Sequence, residues 1–163
     1  MLTNSLRVLL TFFCVVLAFP ISAQEETVTG TARVIDSDAI VVDDQRIMLW
    51  GIDSLERPQT CSINGRIWGC RDAAIRLLET LSSRATVSCT LIGEPDVFGR
   101  RFGVCESGGQ DINAEMVRQG LALAYTEQSD DYLDEQIEAI EAQIGLWQPG
   151  VNFIEPWIYR QGD

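Results

Sequence analysis

Val34-Ile-Asp-Ser-Asp-Ala-Ile-Val-Val-Asp-Asp-Gln-Arg-Ile-Met-Leu-Trp-Gly-Ile-Asp-Ser-Leu-Glu56 is the stretch whose reading decides the fold. Two short apolar runs, Ile40–Val42 and Ile47–Trp50, flank the polar pair Asp43-Asp44, the signal of a β-hairpin. Carboxylates stand at both open ends: Asp36 and Asp38 before the hairpin, Asp53 and Glu56 after it. Acids grouped at a strand end hold a hard cation through oxygen or carry out acid–base work. The competing reading is that they are turn acids, since Asp is common in turns. The hairpin alone does not bring Asp38 to Asp53. A strand rises about 3.3 Å per residue, and Asp53 lies several residues beyond the position paired with Asp38.

Upstream of this stretch the chain begins with a different kind of segment. Val8–Phe19 is an apolar run broken by Thr11, it follows the basic Arg7, and Ile21-Ser22-Ala23 offers a small-residue cleavage site. Residues 1–23 are therefore expected to be a secretory signal peptide. A membrane anchor is the alternative, but the run is short of the roughly 20 residues that span a bilayer. Cys14 leaves with this segment, and its neighbours do not suit lipidation. The rest, 24–163, is expected to form one domain, periplasmic or secreted, monomeric and without stable membrane association.

The whole chain has 163 residues and a net charge of −12, with 12 Arg, 24 acids, no Lys and no His. Removal of Arg7 leaves 11 Arg against those 24 acids, a net charge near −13. The absence of His excludes Ser-His-Asp and Cys-His catalysis and every imidazole metal site. Acid–base chemistry must fall to carboxylates, Tyr or Arg-assisted water. Such an acidic surface repels a polyanion, although salt screens charges beyond about 8 Å.

Four cysteines follow the leader, Cys61, Cys70, Cys89 and Cys105, an even number that suggests disulfides in an exported chain. Three pairings are possible. The local ones, Cys61–Cys70 and Cys89–Cys105, are preferred, the second joining neighbouring strands and contributing about 3 kcal/mol in the chain-entropy model. Zinc is the rival reading, but spacings of nine and sixteen are not the short paired spacings of zinc sites.

Outward from the hairpin, Thr27–Ile35 reads as a first strand, Thr86–Ile92 as a fourth and Arg101–Cys105 as a fifth. Arg57–Cys70 reads as a loop and Gly93–Gly99 as a polar turn. Helices are expected over Asp72–Ser83, with Ile75, Leu78 and Leu81 on one face, and over Ile112–Gln119, capped by Asp111 and closed by Gly120. A third, acidic helix is expected over Asp130–Ile144, with Ser129 as N-cap and Ile137, Ile140 and Ile144 facing inward. Leu121–Tyr125 is a candidate short strand. The tail Trp147–Arg160, with Pro149, Pro156 and two Trp, is expected to be irregular and packed across the domain. Five strands with interspersed helices suggest an α+β fold, mostly β: a five-stranded barrel with about three flanking helices.

Several segments together resemble the thermonuclease, or staphylococcal-nuclease-like, family: Val34-Ile-Asp-Ser-Asp38, Leu49-Trp-Gly-Ile-Asp-Ser-Leu-Glu56, Asp96-Val-Phe-Gly-Arg100, Asn113-Ala-Glu-Met-Val-Arg-Gln-Gly-Leu-Ala122 and Gly145-Leu-Trp147. They occur in the family's order over nearly all of Thr29–Trp147, and the cysteine positions resemble those of exported bacterial members. The resemblance implies an OB-fold barrel with three helices and a calcium-dependent phosphodiesterase, a nuclease that hydrolyses DNA and RNA. It implies that Asp38 and Asp53 bind calcium, that Ser54 offers a backbone carbonyl, and that Asp36 acts near the metal through water. It further implies that Glu56 activates the attacking water and that Arg100, rather than Arg101, contacts phosphate.

The chain also departs from the family. Met48 stands where the motif has a second phosphate-binding arginine, and methionine neither donates a hydrogen bond nor carries charge. Arginine fingers elsewhere contribute about 10³–10⁵ in rate, so lowered activity is expected. Ser37, Ala39 and Leu55 replace a Gly, a Thr and a Pro; Ala39 removes a hydroxyl near the metal and Leu55 is expected to loosen the turn before Glu56. Arg46 and Arg57 are candidate replacements, with an ordinary surface role favoured for Arg46. Two other readings stand beside the nuclease: a catalytically eroded binding module on the same scaffold, and a partner-binding domain using the acidic helix. Trp147, Phe153, Trp157 and Tyr159 suit base stacking or, more commonly, tail packing.

Overall fold

The computed structural model describes residues 26–162. The expected signal peptide, residues 1–23, lies outside the described residues. Among the described residues no helix is long and apolar enough to cross a membrane.

The hairpin forms as its pattern requires. Strands β1 (Thr27–Gly30), β2 (Ala32–Asp36), β3 (Ala39–Val42), β4 (Gln45–Leu49) and β5 (Ile52–Asp53) open the chain. Asp43 and Asp44 turn β3 into β4 with φ of 47° and 61°, a two-residue turn of the kind whose twist suits a hairpin. Pairing opposes Ala39 to Met48 and Ile40 to Ile47. A second two-residue turn, Ser37-Asp38, joins β2 to β3. The single first strand expected over Thr27–Ile35 is in fact two, because the chain changes partners near Thr31. Strand β1 pairs with β8 (Val87–Ile92), whereas β2 pairs with β3.

The main sheet runs β1-β8-β9-β4-β3-β2, with β9 spanning Arg101–Ser107 and β10 (Gln110–Asp111) on its far side. The link between β4 and β9 is parallel. This is an open sheet with β1 and β2 at its two ends, not the closed five-stranded barrel that strand counting suggested. Cys89 and Cys105 face each other in register and are bonded, and Cys61 is bonded to Cys70, so both local pairings form.

The segment read as a loop, Arg57–Cys70, holds a small hairpin: β6 (Cys61–Ile63) and β7 (Arg66–Trp68), turned by Asn64-Gly65 at positive φ. Helix α1 (Cys70–Ser82) starts two residues earlier than expected and buries Ala74, Leu78 and Leu81; Ile75 is only half-buried. Helix α2 (Ile112–Arg118) is capped by Asp111, which accepts from the Ala114 amide at 2.9 Å, and Gly120 follows it at φ 64°. Strand β11 (Leu123–Ala124) pairs with β5.

Helix α3 covers Leu133–Ala142, shorter at both ends than Asp130–Ile144. Tyr132, not Ser129, is its N-cap, and the Ser129 hydroxyl accepts from the Asp131 amide instead. Ile137 and Ile140 point outward; the buried contacts come from Tyr132 and Ala139. Two of the helix's acids, Glu135 and Glu138, hold Arg118 of α2 at 3.0 and 2.8 Å.

The tail is ordered rather than irregular. A 3-10 turn (Gly145–Trp147) leads to β12 (Val151–Asn152), which pairs with β6, and then to a fourth helix, α4 (Pro156–Gln161). Trp147, Phe153 and Trp157 pack on a second apolar cluster of Leu55, Cys61, Cys70, Leu123 and Leu146. The tail therefore does cross the domain, and it ends beside Asp53.

Candidate active site

The turn at Trp50-Gly51 does what the hairpin could not. Gly51 has φ of 74°, and a Cβ there would lie 2.9 Å from the Tyr132 ring, so only glycine fits without displacement. From this bend the chain enters β5, whose pairing with β11 aims Asp53 back toward the Ser37-Asp38 turn. Backbone bonds seal the approach: the Leu49 amide donates to the Asp38 carbonyl and the Trp50 amide to the Gly103 carbonyl, each at 2.9 Å. Asp36, Asp38, Asp53, Ser54, Glu56 and Arg100 consequently line one cavity of about 410 Å³, shared with Met48, Arg46 and Arg160.

Ser37 and Leu55 have positive roles here. The buried Ser37 hydroxyl donates to the Leu55 carbonyl at 3.0 Å, joining the β2–β3 turn to the segment that carries Ser54 and Glu56. Leu55 itself is 1% exposed. The Glu56 amide is held by Gln59 Oε1 at 3.0 Å. Where a proline was expected to hold this turn, burial of Leu55 and these two hydrogen bonds tie the segment before Glu56 in place.

The four acids meet different surroundings. Burial by itself would raise Asp36, but the Arg71 hydrogen bond at 2.5 Å, the Ser37 amide and the charges of Arg71 and Arg57 together hold it below the usual carboxylate range. Asp36 is thus neutralised by cations from outside the cavity. Among the described residues Asp38 has no such partner. Burial first, and then the charges of Asp53, Asp36 and Glu56, push it up to about 7. Asp53 is 5% exposed and also raised, by burial and by Glu56, against the opposing pull of Arg160. Ser54 donates its amide to Asp53 Oδ1 at 3.0 Å and its hydroxyl to the Leu121 carbonyl.

Arginines surround these acids. Arg100 uses its Nε on Asp96, 2.6 Å away, and its guanidinium lies 5.2 Å from the Phe98 ring centre. Among the described residues its two Nη groups carry no hydrogen bond. Arg101 turns the other way, to Glu26. Arg46 is exposed at the cavity wall. Arg57 lies over Asp36 and the Ile35 carbonyl.

The cation that the sequence did not reveal is Arg160, on α4. Its Nη2 donates to Asp53 Oδ2 at 2.6 Å, and its Nη1 donates to Asp53 Oδ1 at 3.1 Å and to Glu56 Oε1. No motif marks it. The faint signal is that it is the one Arg in a tail rich in Trp and Pro.

The donors available to a cofactor are oxygen only: Asp38, Asp53 and the backbone of Ser54. A partly enclosed, unpaired carboxylate raised by its own neighbours suits a hard cation such as calcium. As placed, no three acids among the described residues converge closely enough to chelate an ion. The guanidinium of Arg160 is instead the cation that Asp53 and Glu56 share.

Over 68 residues the chain is 43% identical to an uncharacterized endonuclease of Haemophilus influenzae, a match that covers 40% of this chain and 38% of that protein. The match therefore spans well under two thirds of that relative's length. Residues 46–149, which hold Met48, Asp53, Ser54, Glu56 and Arg100, match the family described as staphylococcal nuclease homologue. Asp36, Asp38 and Arg160 lie outside the matched residues. The chain belongs to the staphylococcal nuclease homologue family.

Proposed function

We propose that this protein is an exported, calcium-dependent nuclease that hydrolyses phosphodiesters of DNA or RNA. The observation that carries this reading is the gathering of Asp38, Asp53, Glu56 and Arg100 around one cavity. Family membership and the likeness to an endonuclease support it. Two disulfides in a small chain suit an oxidising compartment.

Each residue has a task that its surroundings suit. Asp38, Asp53 and the Ser54 carbonyl would hold the cation, which when bound would offset the phosphate charge. Glu56, half-buried at the cavity wall, accepts the proton of the attacking water. Arg100 presents its free Nη pair to the equatorial oxygens, where a planar guanidinium matches phosphate with two parallel donors. Asp36 stays out of the chemistry as placed and ties Arg71 and Arg57 to the turn that carries Asp38.

Purified protein with calcium is expected to cleave single-stranded DNA, and Glu56→Gln to slow it. If neither DNA nor RNA is cleaved at any calcium concentration, the reading fails. An eroded binding module is the second reading, favoured by Met48 and by Arg160 lying across Asp53 and Glu56. In that case wild-type protein binds the oligonucleotide without turnover, and Met48→Arg restores some cleavage.

A further inference from the structure

Arg160 reaches the cavity on a support built to hold it. Pro156, buried, opens α4 at its first turn. Trp157 stacks on Tyr125, ring centres 5.5 Å apart and planes inclined by 28°. Gln59 donates to the Ile154 carbonyl, and β12 is zipped to β6. A tail anchored at three places brings one long side chain to Asp53 and Glu56.

Neutralising the buried Asp53 would be reason enough for a cation at this place. Three observations ask for more. The Arg160 side chain is 42% exposed, so it stands at the mouth of the cavity rather than sealed behind it. It shares that cavity with Met48, the position from which a guanidinium is missing. Arg100 is the other guanidinium there with a neighbouring carboxylate, and its Nε is already committed to Asp96. Arg46 also lines the cavity, but from an exposed strand position and with no carboxylate partner among the described residues, so Arg160 is the guanidinium besides Arg100 that is held against the acids a phosphodiester would meet. A carboxylate and a phosphate present the same pair of oxygens to an arginine fork, so Arg160 is able to exchange one for the other.

Resting on the nuclease reading, we propose that Arg160 is the second phosphate-binding arginine of this site, supplied by the C-terminal helix in place of position 48. In the free protein it is held by Asp53 and Glu56. With substrate bound it transfers its Nη pair to the phosphate oxygens. No bond is made or broken in this exchange; one ion pair replaces another.

The test uses the full chain and a fluorescein-labelled single-stranded DNA oligonucleotide. Cleavage is measured with calcium, and binding is measured by anisotropy over a salt series with chelator, for wild type, Arg160→Ala, Arg160→Lys, Met48→Arg/Arg160→Ala and Arg33→Ala. Arg160→Ala is expected to cleave about 10²-fold more slowly, as for loss of one donor to transition-state charge. Its slope of log K against log salt is expected to shrink by about 0.7, the value of one single-strand phosphate contact. Arg160→Lys keeps the charge without the fork and is expected to fall between, which also covers the case in which the alanine variant does not fold. The double variant is expected to regain at least about tenfold, and Arg33→Ala, an equal loss of charge on an exposed strand position outside the cavity, to change neither readout. If Arg160→Ala or Arg160→Lys cleaves as fast as wild type or faster, with an unchanged slope, Arg160 is a plug over the acids and the inference alone is lost. If wild type neither binds nor cleaves the oligonucleotide, the nuclease reading falls and the inference with it.

Discussion

Strand β3 carries a two-residue turn at each end, and each turn contains aspartate. At one end Asp43 and Asp44 are exposed, in the left-handed region, and have no side-chain partner among the described residues. At the other, Ser37 is buried and bonded to Leu55, and Asp38 faces Asp53 and Glu56 across a cavity. The residue type and the two-residue length are shared, although only Asp43 and Asp44 adopt positive φ. The difference is made by β5 and the Ser54–Glu56 segment, which pack against one turn and not the other. An acid in a turn is therefore uninformative until its distant neighbours are known.

Four experiments bear on this contrast, taken from the largest expected effect downward. Glu56→Gln is expected to lower DNA cleavage by about 10³-fold, within the range for loss of a general base, while Asp43→Asn and Asp44→Asn stay within about twofold. Equal losses at both turns would erase the distinction. Calcium at about 100 times its dissociation constant should stabilise the wild type by about 2.7 kcal/mol in denaturant melts. Asp38→Asn should lose most of that gain and the Asp43 variant none of it.

The third experiment follows the proton. Asp38 sits at about 7 in the folded chain against 3.8 as its ordinary value, so between those limits the native state binds the extra proton. Without a cation, stability should accordingly fall as pH rises from about 4 to 7. Half-burial reduces the full linkage value, leaving about 2 kcal/mol. Asp38→Asn should be more stable than wild type by that amount at pH 8, with a flatter profile. Asp36, held low by Arg71, works in the opposite sense and loses its stabilising contribution only as pH falls through the acid range. The smallest effect belongs to the solvated turn. Asp44→Gly relieves a side chain at φ 61° and should stabilise by about 0.5–1 kcal/mol.

The elements most legible in the sequence are those whose signals are local. The Asp43-Asp44 hairpin, the Asp111 cap and Gly120 stop of α2, and both disulfides follow from spacing and residue type. The Asn64-Gly65 hairpin was equally readable from its turn dipeptide, but three-residue strands are too short to show alternation. Sheet closure was not legible, since partner choice at Thr31 depends on which strand arrives from elsewhere. Nor was the inward face of α3. Isoleucine at helical spacing suggested a core stripe, yet Tyr132 and Ala139 fill the space and leave Ile137 and Ile140 outside. In the cavity, the acids and Arg100 came from motifs. Arg160 could not, because more than a hundred residues separate it from Asp53 and its approach is set by packing of the tail.

The Cys61–Cys70 bond holds more than its own small ring. Cys61 begins β6, the strand that receives β12 and thereby steers α4, while Cys70 starts α1, whose next residue, Arg71, grips Asp36. One covalent bridge thus underlies both the helix that delivers Arg160 and the cation that steadies the opposite wall. In a thiol-rich environment the chain would give up about 2.5 kcal/mol of cross-link stabilisation and, with it, the covalent tie between the strand that receives β12 and the helix that carries Arg71.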